Sequence, residues 1–266
     1  MSAAQARSSV LSTAGSPVAG WLYALAAAVP FALRAVLDTA FVLMVRAIHV
    51  DLGPRGSGVP RRTRRWGVVL SFAEGWRHLR SRPELFRLLL CAPLLNLTVF
   101  GTMSWVVYQL TRDGYNPAVV GLTSAGFAVG GALGAMIAPA LTDRVRAGAV
   151  VIVGLGFSVA VLSAMYVVPR DPWLLMALAA LSMILSPALN GALFGYVFSA
   201  TGEQLQSRVM ATFSILGGLA TTLAPILASQ AVAHGQSRLL GAALGIIGAA
   251  GVAWIASSPQ VRRLAL

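Results

Sequence analysis

Eight apolar runs, each near the length of a bilayer crossing, restrict what this chain can fold into more than any single motif does. They cover about residues 7 to 27, 29 to 48, 85 to 110, 117 to 141, 148 to 168, 173 to 199, 209 to 233 and 239 to 257. A hydrocarbon core about 30 Å thick needs roughly 20 apolar residues per helical crossing, so each run is of the right order. Membrane β-barrel strands would alternate apolar and polar residues, and these Ala-, Leu- and Gly-rich stretches do not. Charge agrees with the bilayer: only 11% of residues are charged, where a soluble domain carries about 25%. The mean hydropathy is +0.77. The expected fold class is therefore all-α, a polytopic membrane helical bundle of about eight transmembrane helices, with the lipid bilayer as its first partner.

The net charge of +12 comes from 20 basic residues against 8 acidic ones, and every basic residue is arginine. A basic balance invites a nucleic-acid reading, most of all at VPRRTRRWG, residues 59 to 67. A nucleic-acid binder would spread such charge over a soluble surface, whereas here uncharged runs separate short basic clusters, so no nucleic-acid partner is expected. Placing the N-terminus inside puts sixteen arginines on the cytoplasmic side. Only Arg112, Arg170 and Arg238 then lie outside, and Arg34 falls within the second run. The positive-inside rule thus predicts a multi-pass plasma-membrane protein with both termini cytoplasmic. Residues 49 to 84 become an Arg-rich cytoplasmic loop, in which each arginine near the anionic leaflet contributes about 1 kcal/mol of attraction. Within it Trp66, Val69, Leu70, Ala73 and Trp76 recur at helical spacing. The segment 66 to 80 reads as an amphipathic helix, either lying on the inner membrane surface or packed on the bundle.

Polar groups inside spans are costly and point to cavities, partners or packing contacts. Arg34 and Asp38 stand at i and i+4 and are expected to form an intramembrane ion pair. The third run carries Asn96, Thr98, Ser104, Trp105, Tyr108 and Gln109, and the sixth carries Ser182, Ser186, Asn190, Phe194 and Tyr196. Amide, hydroxyl and aromatic groups together suit an amphiphilic small molecule, and they also serve as glue between helices. Other chemistry is excluded more simply. One cysteine, Cys91, allows no intramolecular disulfide, and His49, His78 and His234 lack zinc-ligand spacing. A chain without lysine has no phosphate-binding Gly-x-x-x-x-Gly-Lys loop. Neither an enzyme nor a bound metal or cofactor is expected.

The run EGWRHLRSRPELFRLLLCAPLLNLTVFG, the short DRVRAG after the fourth run, and EQLQSRVMATFSILGGLATTLAP resemble the second half of a major facilitator superfamily exporter, in the branch containing the enterobactin exporter and macrolide efflux proteins. The resemblance implies two six-helix halves joined by a long cytoplasmic loop, with residues 49 to 84 as that loop. Residues 1 to 48 would then be two transmembrane helices of the first half, 85 to 258 the complete second half, and 259 to 266 a cytoplasmic tail. The eight runs would correspond to family helices five to twelve, so the expectation is of an N-terminally incomplete transporter. ALTDRVRAG, residues 140 to 148, resembles the family's Gly-x-x-x-Asp-Arg loop, which implies a gating role for Asp143, Arg144 and Arg146. By the same resemblance the third and sixth runs line the central cavity, which assigns substrate contacts to Asn96, Trp105, Tyr108, Ser186, Asn190 and Phe194. The implied function is efflux of a small amphiphilic molecule, drug-like or siderophore-like, by alternating access coupled to an ion, with the proton as coupling ion. The rival expectation is a truncated or half-transporter chain with no cycle of its own, completed by a second chain that supplies the missing helices.

Overall fold

The computed structural model describes residues 36–44, 75–144 and 147–259. Among these residues the chain is helical, without a strand. Seven helices follow the Arg-rich segment: α1 Pro83–Arg112, α2 Pro117–Arg144, α3 Ala147–Ala164, α4 Pro172–Met183, α5 Ser186–Ser199, α6 Glu203–Ala233 and α7 Ser237–Ala256. Five stretches are long and apolar enough to cross a membrane: Pro83–Arg112, Pro117–Leu141, Pro172–Ser199, Leu205–Ala233 and Ser237–Ala256. Gly148–Ala164 is apolar but shorter. The chain is an all-α, multi-pass membrane protein. Of the first two expected spans, 7 to 27 lies outside the described residues, and only 36–44 of the second is described, as helix.

Local sequence sets the helix ends. Pro83, Pro117 and Pro172 open α1, α2 and α4, where a missing N–H costs nothing. The Asp171 carboxylate caps α4 by accepting from the Leu174 N–H at 2.8 Å. At the C-termini of α1 and α6, Gly114 and Gly235 adopt positive φ, 83° and 69°. Tyr115 N–H then bonds back to Leu110 and Gln236 N–H to Ala231, which ties off the last free carbonyls of each helix.

Tertiary packing sorts the helices into pairs. α1 lies along α6 and also touches α7, while α2 runs against α4 and α5, and α3 bridges α5 and α7. Glycine makes the α2–α4 contact possible. A Cβ on Gly126, Gly130 or Gly134 would collide with the backbone carbonyl oxygens of Met176, Ala180 and Ile184 respectively. Spacing of four residues puts these glycines on one helical face, so the two backbones approach without side chains between them. On α7, Gly241 and Gly248 instead make room for side chains, those of Tyr166 and Val159.

Two packed layers result. One gathers Leu85, Leu88, Leu89, Val151, Ala192, Val197, Val209 and Ile255. The other gathers Trp105, Val106, Leu110, Leu162, Met165, Leu175, Ala179 and Leu244. Hydroxyls stitch the second layer: Thr98 Oγ1 donates to the Leu244 carbonyl at 3.1 Å, and Tyr166 donates to Thr102 Oγ1 at 3.2 Å.

The described end of the Arg-rich segment, helical over 75–81, packs on the bundle, the second of its two expected placements. Leu79 is fully buried in the first layer, and Trp76 meets Phe86 edge-on with ring centroids 5.4 Å apart. A Cβ on Gly75 would sit 2.6 Å from the Arg208 carbonyl oxygen. The contact is thus backbone-close to α6, and the rest of the expected amphipathic helix lies outside the described residues.

Candidate functional site

The candidate site begins at a break in a helix. Residues 172–199 form one apolar stretch, expected as a single helix, yet α4 stops at Met183 and α5 starts at Ser186. Pro187 is the cause, since it has no N–H to donate and its ring excludes the carbonyl four residues earlier. The interruption leaves carbonyls without helical donors. Ser158 on α3 answers one of them, its Oγ donating to the Ser182 carbonyl at 2.7 Å in a buried contact. One turn into α5, Asn190 Nδ2 donates to Ser186 Oγ at 3.1 Å, so both side chains share a face.

Opposite stands α1, whose Asn96 reaches toward α6. Its amide nitrogen lies only 2.9 Å from where a Cβ on Gly217 would be. Gly217 therefore makes the seat for that amide, and any larger residue there would push it away. Between the two packed layers these groups enclose a cleft of about 510 Å³. Its polar lining is Asn96, Ser124, Ser158, Ser186 and Asn190, and its apolar lining includes Leu95, Phe100, Phe127, Leu193, Phe194 and Phe213. The volume falls in the range of drug-sized ligand sites, as does the pattern of a few polar groups in a mostly apolar wall.

Of the residues expected at a cavity, Asn96, Ser186, Asn190 and Phe194 line this cleft together. Trp105 does not. It is 1% exposed and stacks on Tyr166 with ring centroids 4.2 Å apart. The reason is helical phase: nine residues at 3.6 per turn place Trp105 about 180° around α1 from Asn96. Tyr108 also lies off the cleft, on an exposed part of α1. Gln109 is structural, accepting from Ser237 Oγ at 2.7 Å and donating to Asp113 at 2.8 Å. Asp113 in turn stands 3.8 Å from Arg170, which braces one end of the bundle across α1, α7 and the α3–α4 connection. Arg34 lies outside the described residues, and Asp38 lies in the 36–44 helix. For the expected gating group, Asp143 and Arg144 close α2, but their side chains, like all of Arg146, are outside the described residues.

Sequence reasoning missed Ser124, Ser158, Phe127 and Phe213. A hydroxyl within an otherwise apolar span was a usable signal for the two serines. Nothing local marks Gly217, because its role exists only once α1 lies against α6. No family model matches the chain, and no curated protein matches it.

Proposed function

We propose that this membrane protein is a transporter of the major facilitator type that exports a small amphiphilic molecule by ion-coupled alternating access. The observation that carries the reading is the cleft itself: about 510 Å³, lined by amides, hydroxyls and aromatic rings, beside an interrupted span. Discontinuous helices at membrane depth are where many transporters place substrate sites, irregular backbone being tolerated there when it is buried in protein or lines a cavity. Residues of both packed layers, Leu88 and Phe213 of the first and Phe127 of the second, border the cleft. Coupling to protons falls to Asp38, the only acid inside one of the eight apolar runs; the other acids fall outside those runs.

Cellular accumulation tests the proposal. Cells expressing the chain are expected to accumulate less of at least one hydrophobic dye or antibiotic than cells without it. The double variant Asn96→Ala, Asn190→Ala should lower the efflux rate about thirtyfold, since two hydrogen bonds of about 1 kcal/mol each are lost. Equal accumulation with and without the chain across a broad panel would sink the reading.

Orientation gives a second expected outcome. In a Cys91→Ala background, an impermeant maleimide should label Asn116→Cys on intact cells and Ser199→Cys only after permeabilisation. Those two positions lie at opposite ends of the bundle, beyond α1 and at the end of α5. The reverse pattern would overturn the placement of both termini in the cytoplasm.

A further inference from the structure

We propose that the cleft selects an uncharged ligand with an aromatic or aliphatic body and a carboxamide-like head, one that both donates and accepts hydrogen bonds. This deepens the transport reading and rests on the cleft being its substrate site. Two observations on the lining carry it.

The first is charge. Among the described residues, no side chain lining the cleft is an acid, an arginine or a histidine, and the chain has no lysine. An ion entering this wall would leave water with no counter-charge to meet it, and burying an unpaired charge is far costlier than burying a hydrogen-bonded neutral group. Rings such as Phe100 and Phe194 offer a cation only their faces, a small attraction against that cost.

The second is hydrogen-bond stoichiometry. Ser124 Oγ donates to the Val120 carbonyl at 2.9 Å, and Ser158 Oγ donates to Ser182 at 2.7 Å, so both hydroxyl protons are already committed. Asn190 uses one N–H on Ser186 at 3.1 Å, which leaves it a second N–H and its carbonyl oxygen. Asn96 lines the cleft with its amide nitrogen seated beside Gly217, and it makes no hydrogen bond among the described residues, so the amide's donors and acceptor are uncommitted. The two amides come from different helices, α1 and α5. A ligand that only accepts would strand the asparagine oxygens, and one that only donates would strand their N–H groups. A carboxamide head complements both.

Binding to the purified full chain in detergent, measured by equilibrium dialysis, tests this with three probes of one shape: naphthalene-1-carboxamide, naphthalene-1-carboxylate and 1-naphthylmethylammonium. The carboxamide is expected to bind at least tenfold more tightly than either ion. Either ion binding as tightly, or no binding by any of the three, would overturn the proposal. A further variant reads the same site without requiring loss of function: Asn96→Asp places a carboxylate in the cleft and should shift preference toward the ammonium probe by at least tenfold. An unchanged order of affinities in that variant would remove Asn96 from the head-group site and overturn the proposal. Counterflow of the carboxamide in vesicles is measured separately. Selective binding without counterflow would sink the transport reading while leaving this assignment intact.

Discussion

Gly130→Leu is expected to cost the bundle about 3 kcal/mol or more, at the upper end of what overpacking does in protein interiors. A Cβ at this position would sit 2.6 Å from the Ala180 carbonyl carbon and closer still to its oxygen. The obstacle is backbone, so no rotamer change relieves it. Separating α2 from α4 to make room would also undo the contacts of Gly126 and Gly134, which belong to the same face. The neighbouring position supplies the control. A Cβ on Gly131 meets nothing within 4 Å, so Gly131→Leu should leave stability within about 0.5 kcal/mol. Both variants add the same side chain to the same helix, so intrinsic propensity cancels between them. Unfolding of the purified proteins in mixed micelles would read the difference, and equal midpoints for the two would refute the close-approach account.

The second large effect is expected at the helix break. Ser158→Ala removes the donor that holds the Ser182 carbonyl, and a buried acceptor left without a partner costs about 1 to 3 kcal/mol. Ser158→Thr keeps the hydroxyl and should recover most of that loss. The same substitution bears on function, since Ser158 and the break both border the cleft. Loss of the clamp should let α4 and α5 change their mutual angle and so alter the cleft more than the remote layers. Proteolysis or hydrogen exchange at 182–187 would show this as local opening. An unchanged Ser158→Ala protein would mean that another group satisfies the carbonyl.

Much of the bundle was readable from residues alone, because the signals involved are local. The expected runs 85 to 110, 117 to 141 and 209 to 233 fall inside α1, α2 and α6, and 239 to 257 passes the end of α7 by one residue. The run 148 to 168 overshoots α3, which ends at Ala164; Tyr166 and Val167 form a turn there, and their apolar character continues past the helix. The run 173 to 199 was read as unbroken although Pro187 stood in plain view. Proline in a membrane span need not break it, as Pro93 within α1 and Pro225 within α6 show. At the interruption beside Pro187, Ser158 on α3 holds the Ser182 carbonyl, a contact made only in the folded bundle.

The candidate site divides along the same line. Asn96, Ser186, Asn190 and Phe194 could be named because a polar or aromatic group within a span is conspicuous whatever the fold. Trp105 satisfied the same criterion and yet belongs to the packed core, for its helical phase was not weighed against that of Asn96.

Sequence by itself determined that this is an all-α membrane protein and where most of its helices lie, since crossing length, proline starts and glycine stops act over a few residues. It also kept every acid but Asp38 outside the apolar runs. Tertiary structure alone decided that the glycines of α2 face α4, that Gly217 seats the Asn96 amide, and that Ser158 clamps a break on another helix. Each of these depends on which face of one helix meets which face of another. In a bilayer that choice is made by close packing and hydrogen bonding between helices more than by hydrophobicity, which differs little around α2, α3, α4 and α5.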